Sequence, residues 1–333
     1  MRIRGGGTKD FYGNEPRGDL LETRSCAGIS AYEPSELVIT ARGGTRLSEL
    51  DDALSKQGQF LPFEPPGFGS GATLGGCVAA GLSGPRRASA GAVRDFVLGA
   101  TILDGRGRML VFGGQVMKNV AGYDVSRLLA GSLGTLGLML EISLKVAPRP
   151  VSELTLAFEM AQANALESMN RWAGQPLPIS ATAWRDGALH LRLSGAQGAL
   201  REAAQKLGGG QVDAAAAARF WSEIREQTEP FFVLALPLWR LSLPSRAPQI
   251  DLPGEQLIEW GGALRWLKSN ADATTVRAAA AGAGGHATLF RANDKPAGAF
   301  APLPAELARL HRELKSAFDP AGILNPGRLY QEF

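Results

Sequence analysis

The chain is poor in cysteine and histidine, and this scarcity excludes several kinds of chemistry. Its 333 residues include two cysteines and three histidines. Cys26 and Cys77 form no C-x-x-C pair, so the sequence lacks the ligand spacing of a zinc or iron–sulfur site. Isolated cysteines of this kind are typical of reduced, partly buried thiols in a cytosolic protein. No group of histidine and acidic residues has metal-ligand spacing and no G-x-S-x-G motif occurs, so neither metal catalysis nor a serine hydrolase is predicted.

The sequence also lacks the features of a nucleic-acid-binding or membrane-spanning protein. Its formal net charge is only +3, and its basic residues are not interleaved with aromatic ones. No apolar run follows Met1, so no secretory signal is expected. The uncharged stretch 65–85 is long enough to cross a bilayer, but its glycine and proline content argues against a membrane helix. A composition of 45% hydrophobic and 20% charged residues instead predicts a globular chain large enough for two domains.

Glycine, in contrast, is abundant, and its distribution indicates a phosphate site. The stretch 65–94 contains eight glycines and three arginines but no acidic residue. Glycine at this density weakens regular structure, and the usual compensation is the close approach of main-chain N–H groups to an anion such as phosphate. A surface loop without a ligand is the alternative, although a solvated loop would rarely need apolar residues such as Leu74 and Val78. We therefore predict a buried cradle for a diphosphate.

Two further glycine clusters, at 4–8 and 131–137, lie in the same half of the chain. No G-x-G-x-x-G follows a predicted strand and no G-x-x-x-x-G-K-[ST] occurs, so neither the dinucleotide fingerprint nor the P-loop applies. Three separated glycine-rich segments predict one extended ligand that is held along its length.

The hydrophobic pattern predicts an α+β protein. Strands are predicted at 37–41, 96–103, 109–112 and 138–146, and helices at 46–57, 124–130, 163–173, 198–207 and 304–318. A hairpin is predicted over 257–267, around a pair of glycines. Pro148 and Pro150 mark the best domain boundary. After them, the order strand, helix, strand pair, helix predicts a layer of ferredoxin-like type.

The order of four motifs resembles a known flavoprotein family. RGGGT, EPPGFGSGATLGG, MKNVAGYDVSRL and DPAGILNPGR follow one another as in the FAD-binding oxidases with the vanillyl-alcohol-oxidase, or PCMH-type, fold. Within that group the chain is most similar to the FAD-binding E subunits of bacterial glycolate oxidase. Each motif is weak alone, but their order and spacing span essentially the whole chain. The resemblance implies a two-lobed PCMH-type FAD-binding domain at 1–150, an α+β cap domain at 151–303, and a C-terminal helix and segment at 304–333 that returns to the FAD site.

The resemblance also implies which residues hold the FAD. Residues 4–8 would wrap the diphosphate with main-chain N–H groups, residues near 73–84 would continue along the diphosphate and the flavin edge, and residues 134–138 would meet the adenosine half. The predicted FAD-binding residues are Arg4, Gly5, Gly6, Gly7, Thr8, Thr73, Gly75, Gly76, Gly81, Ser83, Gly84, Gly134, Gly137, Leu138 and Asn325. The segment 119–124 either positions the cofactor or begins a helix capped by Asp124.

Two departures from the family pattern lead to further expectations. Relatives with covalent flavin have a histidine or cysteine near the flavin, whereas Thr8 follows the glycine triplet here, so dissociable FAD is predicted. Family members usually have a strand and a helix before the triplet. The chain begins almost at this point, so either the start is truncated or the first lobe is incomplete.

Oxidation of a 2-hydroxy acid at a flavin needs a base for the hydroxyl proton and a cation for the carboxylate. His286 follows a glycine pair and opens a strand, where its side chain can point into a cleft; an ordinary loop residue is an equal alternative. The other two histidines are predicted to face solvent. Candidate carboxylate anchors are Arg240, Arg265 and Arg291, although each is more often a charge on a strand face. The predicted catalytic set is His286, Arg265 and Arg291.

The resemblance implies an FAD-dependent oxidoreductase subunit that oxidises glycolate or other small 2-hydroxy acids, in glyoxylate metabolism. The implied partners are a larger flavin subunit and an iron–sulfur subunit, because this chain has no cysteines for a cluster. The expected location is the cytoplasm, either free or peripheral to the inner membrane through the partners. A flavin-stabilised assembly subunit without substrate turnover of its own is the alternative.

Overall fold

The computed structural model describes residues 1–114, 124–233 and 235–333. The chain divides into two compact units. The first consists of Met1–Ser83, Gly91–Arg149 and Gly298–Phe333, and the second consists of Gly84–Ala90 and Pro150–Ala297. The C-terminal helix and the segment after it therefore belong to the first unit, whereas the short segment at 84–90, inside the glycine-rich stretch, belongs to the second.

The first unit is built around a five-stranded antiparallel sheet. Its strands are β1 (Arg2–Arg4), β2 (Leu20–Glu22), β3 (Ile29–Glu33), β4 (Val38–Arg42), β5 (Gln59–Phe60), β6 (Val97–Leu103), β7 (Met109–Gly113), β8 (Leu138–Lys145) and β9 (Ala147–Pro148). The main sheet has the order β3-β4-β8-β6-β7, while β1 and β2 form a parallel pair and β5 and β9 an antiparallel one. The four strands predicted in this half are confirmed to within one residue.

Two helices of this unit follow from their apolar residues. In α1 (Leu47–Ser55), Leu47, Leu50 and Leu54 are all buried, as their helical spacing predicts. The second helix, α2 (Leu74–Ala80), lies inside the glycine-rich stretch and buries Leu74, Cys77 and Val78. The stretch is therefore not a solvated loop.

The predicted helix at 124–130 is wrong. A 3₁₀ turn covers Ser126–Leu129 instead, and Ser126 and Leu129 are buried. Gly131 follows at once with a φ of +86°, a left-handed conformation that ends the turn. The six residues between Asp124 and Gly131 are too few for a stable α-helix.

The second unit contains one eight-stranded antiparallel sheet. Its elements in chain order are α3 (Arg87–Ala90), β10 (Ser152–Glu159), α4 (Gln162–Ala173), β11 (Ile179–Arg185), β12 (Ala188–Gly195), α5 (Gln197–Leu207), β13 (Gly210–Gln211), α6 (Ala214–Glu226), β14 (Leu238–Ser242), β15 (Glu255–Glu259), β16 (Leu264–Lys268), α7 (Ala273–Gly282) and β17 (His286–Arg291). The strand order is β13-β10-β12-β11-β15-β16-β14-β17.

This sheet consists of two halves with the same strand order. The first half runs β10-α4-β11-β12-α5-β13, the βαββαβ arrangement of ferredoxin-like folds. The second half repeats the order with β14, β15, β16 and β17 but has a single helix, α7. The predicted α+β class is confirmed, and the segment 243–254 stands where the second half lacks a helix.

Different helices pack on the two faces of this sheet. Leu166 and Met169 of α4 and Leu200 of α5 pack on one face of the first half, and Val276 of α7 packs on the corresponding strands of the second. On the other face, α6 places Trp221 against alanines of β11. The indole N–H of Trp221 donates to Thr155 Oγ1 at 2.9 Å, which satisfies the buried donor.

The last helix, α8 (Ala305–Phe318), returns to the first unit, as does the C-terminal segment. Phe318 contacts Phe112 of β7, with ring centroids 5.9 Å apart. Among the described residues, no helix combines the length and the apolar character needed to cross a bilayer.

Candidate functional site

A cavity in the first unit brings several glycine-rich segments together. Its volume is about 80 Å³. It is lined by Ile3, Arg4, Gly5, Gly6, Gly7, Thr8, Lys9, Asp10, Thr73, Gly76, Ala79, Ala80, Leu133, Asn325 and Arg328. Pockets for whole organic ligands usually measure roughly 300–1,000 Å³. This cavity therefore accommodates a compact group, such as the diphosphate in the middle of a dinucleotide.

The main-chain N–H groups of residues 5–8 are the chief polar feature of the cavity. Parallel pairing of β1 with β2 ends where Thr23 N donates to Arg4 O at 3.0 Å. Beyond that point, none of the N–H groups of residues 5–8 donates a hydrogen bond to another group in the described part of the chain. Consecutive N–H groups without protein acceptors form a concave anion-binding site, because they point several donors at one place.

Close packing explains why these residues are glycines. A Cβ atom on Gly5 would collide with Thr73 Oγ1, and one on Gly6 would collide with the carbonyl oxygen of Gly71. Both separations are well under 3.0 Å, a distance that real Cβ contacts do not reach. Gly7 has a φ of +73°, a left-handed conformation that glycine adopts without strain. The segment after β1 therefore lies directly against the segment before α2.

The charged side chains around the cavity are mostly basic. Arg4 Nε lies 2.8 Å from Asp10 Oδ2, and Lys9 Nζ donates to Gly67 O at 3.1 Å. Arg328 is the third basic residue in the lining. Three cations and one carboxylate leave an excess of positive charge, which complements a diphosphate.

Asn325 joins the C-terminal segment to the cavity. Its Oδ1 accepts a hydrogen bond from Ile3 N at 2.7 Å, its Nδ2 donates to Leu133 O at 2.6 Å, and its main-chain N donates to Met1 O at 2.9 Å. The side chain thus ties β1 to the third glycine cluster. Its amide groups are engaged within the protein, so Asn325 shapes the wall of the cavity.

A buried ion pair holds the segment that carries Asn325. Lys315 Nζ donates to Asp319 Oδ2 at 2.6 Å, to Leu324 O at 2.7 Å and to Thr135 O at 2.9 Å. Lys315 and Asp319 are 6% and 1% exposed, so removing either partner would leave a buried charge without compensation.

Arg328 supports the cavity from outside the predicted set. Its guanidinium donates to the main-chain carbonyls of Asn14, Asp10 and Lys9. Burial lowers the pKa of Arg328 to about 10, so it remains a cation at neutral pH. Sequence reasoning missed Lys9, Asp10, Leu133 and Arg328. The closing NPGR motif contained Arg328, but its carbonyl partners are remote in sequence.

Several predicted glycines lie outside the cavity lining and serve packing. Gly75 N donates to Gly43 O at 2.7 Å, so this N–H is already used within the protein. Gly81 ends α2 with a φ of +67°, and a Cβ there would lie 2.8 Å from Gly131. A Cβ on Gly137 would lie 2.8 Å from Ile102 of β6.

The other predicted cofactor residues outside the lining have different neighbours. Ser83 Oγ accepts a hydrogen bond from Val93 N at 3.1 Å, and Gly84 O, in the second unit, accepts one from Trp260 Nε1 at 3.0 Å. Gly134 lies beside Asn325, since a Cβ there would be 2.7 Å from Nδ2. Leu138 is the first residue of β8.

The interpretation of segment 119–124 falls mostly outside the described residues. Asn119, Gly122 and Tyr123 are among those that the structure does not describe. Asp124 is described. It accepts a hydrogen bond from Ser126 Oγ at 2.9 Å and pairs with Arg127 Nε at 2.6 Å.

In the second unit, His286 and Arg240 share one face of the sheet. On neighbouring strands, Ser242 is the register partner of His286 and Arg240 is that of Thr288. Trp239 and Leu241 point to the opposite face, where they pack against α7. The side chain of His286 is exposed but not fully surrounded by solvent. Its partial burial, together with the charge of Arg240, lowers its pKa.

Arg265 lies on the helix side of the sheet, away from His286. Its guanidinium donates to Gly262 O at 3.2 Å, to Pro248 O at 2.5 Å and to Ala247 O. The side chain is 1% exposed, and burial lowers its pKa to about 10. Arg265 therefore anchors the segment that replaces a helix in the second half, and this position argues against contact with substrate.

The predicted catalytic residues do not form one cluster. His286 and Arg291 are the first and last residues of β17, so about 17 Å of strand separates their Cα atoms. Arg291 is half-buried, and burial lowers its pKa to about 10. No two-carbon acid reaches both ends of β17.

The other histidines do not point freely into solvent, contrary to expectation. His190 is half-buried and stacks on Phe220 of α6, with ring centroids 4.1 Å apart. His311 is also half-buried, against Tyr330 and Phe333. The helix α6 covers a strand face that the alternating pattern alone assigns to solvent.

Comparison with known families identifies the class of protein to which these features belong. Residues 1–113 match the family model described as "FAD binding domain", and residues 303–329 match "FAD linked oxidases, C-terminal domain". Among solved structures, an alkyldihydroxyacetonephosphate synthase superposes with a TM-score of 0.64 at 16% identity, covering 98% of this chain and 71% of that one. The predicted fold and the predicted FAD cofactor are thereby confirmed.

The relatives narrow the class further. Glycolate oxidase subunit GlcE of Escherichia coli (strain K12) is 53% identical over 330 residues, which cover 99% of this chain and 92% of that protein. The chain belongs to the family of this subunit. D-lactate dehydrogenase of Anaerostipes hadrus is 35% identical over 42% of this chain and 29% of its own length. Glycolate oxidase subunit GlcD of Bacillus subtilis (strain 168) is 32% identical over 46% of this chain and 33% of its own length.

Proposed function

We propose that this chain is the FAD-binding subunit of a glycolate oxidase complex. In this proposal it takes part in oxidising glycolate and other small 2-hydroxy acids to 2-oxo acids, and passes the electrons to partner subunits. The observation that carries the proposal is 53% identity, over nearly the whole of both chains, to a subunit named for glycolate oxidase. Partial matches to proteins named for D-lactate and glycolate support the same substrate class.

The cavity of the first unit fits the diphosphate of the cofactor. We assign the unpartnered N–H groups of residues 5–8 to its oxygens and the charges of Arg4 and Lys9 to its negative charge. Glycines at 5 and 6 are required there because a Cβ would block the approach of residues 71–73. When bound, FAD supplies a two-electron acceptor. No histidine or cysteine adjoins the triplet, so the proposal includes non-covalent FAD.

Oxidation of glycolate to glyoxylate releases two electrons and two protons, and the chain has to handle one proton at a side chain. His286 is our candidate for the group that accepts the hydroxyl proton. It is exposed at the start of β17, and its lowered pKa favours the neutral imidazole that can take up a proton. Arg291 stays a candidate for binding anions at the far end of the strand.

We further propose a larger flavin subunit and an iron–sulfur subunit as the partners. The name of the E. coli relative identifies it as one subunit of an oxidase. Cys26 and Cys77 have no cluster-ligand spacing, so we place the iron–sulfur cluster that would accept the electrons on another polypeptide. The 32% identity to a GlcD subunit is consistent with a partner that has a related FAD-binding unit.

The alternative is a subunit whose FAD stabilises the assembly without meeting substrate. The separation of His286, Arg265 and Arg291 favours this alternative, since these three residues do not form one active site. Anaerobic mixing of the FAD-loaded chain with glycolate distinguishes the two. Bleaching of the flavin absorbance at a rate that rises with glycolate concentration supports turnover by this chain. An oxidised flavin in the isolated chain, with activity only after the partners are added, supports relay or assembly.

A further inference from the structure

The second unit holds a half-buried cation, Arg240, that meets no acceptor among the residues the structure describes. Arg240 lies on β14, on the sheet face that is turned away from α7. Its guanidinium donates no hydrogen bond and forms no ion pair with any described residue. Guanidinium groups at such positions usually pair with a carboxylate, because their five N–H donors need acceptors. Arg240 therefore has its donor capacity available for a ligand.

Trp260 holds this guanidinium in place. The guanidinium carbon of Arg240 lies 5.3 Å from the centroid of the Trp260 ring, within the range of a cation–π contact. Trp260 is 5% exposed, and its indole N–H donates to Gly84 O at 3.0 Å. Its φ of +55° is a conformation that bulky residues rarely adopt, and such outliers cluster at ligand sites.

A second arginine lies near Arg240. Arg87 also lies over the Trp260 ring, at 4.4 Å, and the charge of Arg240 acts on His286. The buried carboxylate of Glu259 accepts a hydrogen bond from Trp266 Nε1 at 2.8 Å. The two guanidinium groups over the Trp260 ring outnumber the carboxylate of Glu259, and this balance favours an anion.

We infer that Arg240 binds the carboxylate of the small 2-hydroxy acid substrate, and that Trp260 is the positioning residue that aims it. This inference rests on the proposed function for the identity of the acid. Arg240 and His286 are diagonal neighbours on adjacent strands of one face, about 7–8 Å apart at Cα. A two-carbon acid bound to Arg240 through its carboxylate can therefore present its hydroxyl group to the imidazole of His286.

The test uses the full chain loaded with FAD, and oxalate as a two-carbon carboxylate that cannot be oxidised as a hydroxy acid. Isothermal titration calorimetry measures oxalate binding by the wild type and by Arg240→Gln, Arg240→Lys and Trp260→Phe. Loss of one charged, bidentate contact predicts at least about tenfold weaker binding for Arg240→Gln. Arg240→Lys keeps the charge without the fork and should fall between the two.

Trp260→Phe should also weaken oxalate binding. The melting temperature of Arg240→Gln should stay at the wild-type value, which shows that the variant is folded. Arg201→Gln is the matched control, because Arg201 is an exposed residue of α5 and loses the same charge. The inference is supported if only the variants at 240 and 260 bind oxalate less tightly. It is overturned if Arg240→Gln binds oxalate as well as the wild type, or if the wild type does not bind oxalate at millimolar concentration. If glycolate leaves the FAD oxidised but oxalate binding still depends on Arg240, substrate turnover by this chain is refuted and the carboxylate site at Arg240 is not.

Discussion

Substitution of Gly6 by alanine is the most direct test of the cradle. The added methyl group would collide with the carbonyl oxygen of Gly71, which is main chain and cannot move aside as a flexible side chain does. The segment at 5–8 must then shift away from residues 71–73, and its N–H groups lose their common direction. We expect Gly6→Ala to lose FAD binding.

The size of the effect follows from ligand linkage. At a free FAD concentration of 100 times Kd, binding stabilises the folded protein by about 2.7 kcal/mol. For a unit of roughly 150–250 residues, each kcal/mol shifts Tm by about 2–4 °C. The wild type should therefore melt about 5–10 °C higher with FAD than without it, and this difference should vanish in Gly6→Ala.

The assay is thermal unfolding of each variant with and without excess FAD, together with fluorescence titration of FAD for Kd. Gly198→Ala is the matched control, because a Cβ on Gly198 meets no atom within 4 Å and the residue lies in α5. The control should keep the full FAD-dependent shift, and its helix is expected to gain up to about 1 kcal/mol. Unchanged FAD affinity in Gly6→Ala would refute the assignment of residues 5–8 to the diphosphate.

Three further predictions concern charged side chains, namely the buried Lys315 and Arg265 and the exposed Glu153. Lys315→Met leaves the carboxylate of Asp319 without its cation. We expect the free energy of unfolding, measured in urea, to fall by about 3–5 kcal/mol and FAD binding to weaken. A variant with wild-type stability would contradict the role of this pair. Arg265→Lys should lower the free energy of unfolding by about 1–3 kcal/mol, because main-chain carbonyls lose their donors. Its oxalate binding should equal that of the wild type. Selective loss of oxalate binding would instead support Arg265 as a substrate anchor. Burial raises the pKa of Glu153, but the charges of Arg192 and Arg86 and a hydrogen bond from Ser194 outweigh it, so its pKa is lowered in the folded protein. Because the pKa of Glu153 is lower in the folded than in the unfolded protein, its ionised form stabilises the fold at pH values above the unfolded pKa of about 4.3. This stabilisation is lost as the pH falls from there through the folded pKa. Melting curves should show a smaller loss of Tm between pH 6 and pH 3.5 for Glu153→Gln than for the wild type, and equal losses would rule this out.

Much of the first unit was predictable because local pattern and local structure agree there. The strands β4, β6, β7 and β8 follow from alternating or β-branched residues, and α1 follows from leucines at helical spacing. The close approach of the glycine triplet to residues 71–73 was also predictable, since consecutive glycines are typical of segments where main chains pack closely. The assignment of this segment to a diphosphate stays a prediction. The turn at 126–129 was misread as a helix because periodicity over so few residues does not separate the two.

The candidate catalytic residues show where sequence reasoning ends. Arg240 and Arg265 look alike as single arginines on apolar strands. In the sheet they point to opposite faces, because the register places Arg265 opposite Leu241 rather than opposite Arg240. One step of register decides whether a guanidinium meets the carbonyls of the 243–254 segment or remains available to a ligand.

The sequence by itself determined the class of this protein, its cofactor and most of its elements, since glycine spacing, periodicity and motif order are properties of the chain. Only the tertiary structure decided that the N–H groups of residues 5–8 and the guanidinium of Arg240 meet no acceptor among the described residues, and that the C-terminal segment lies against β1. The physical reason is that hydrogen-bond satisfaction and burial depend on contacts between residues far apart in the chain. Asn325, which bonds to Ile3 and Leu133, is the clearest case.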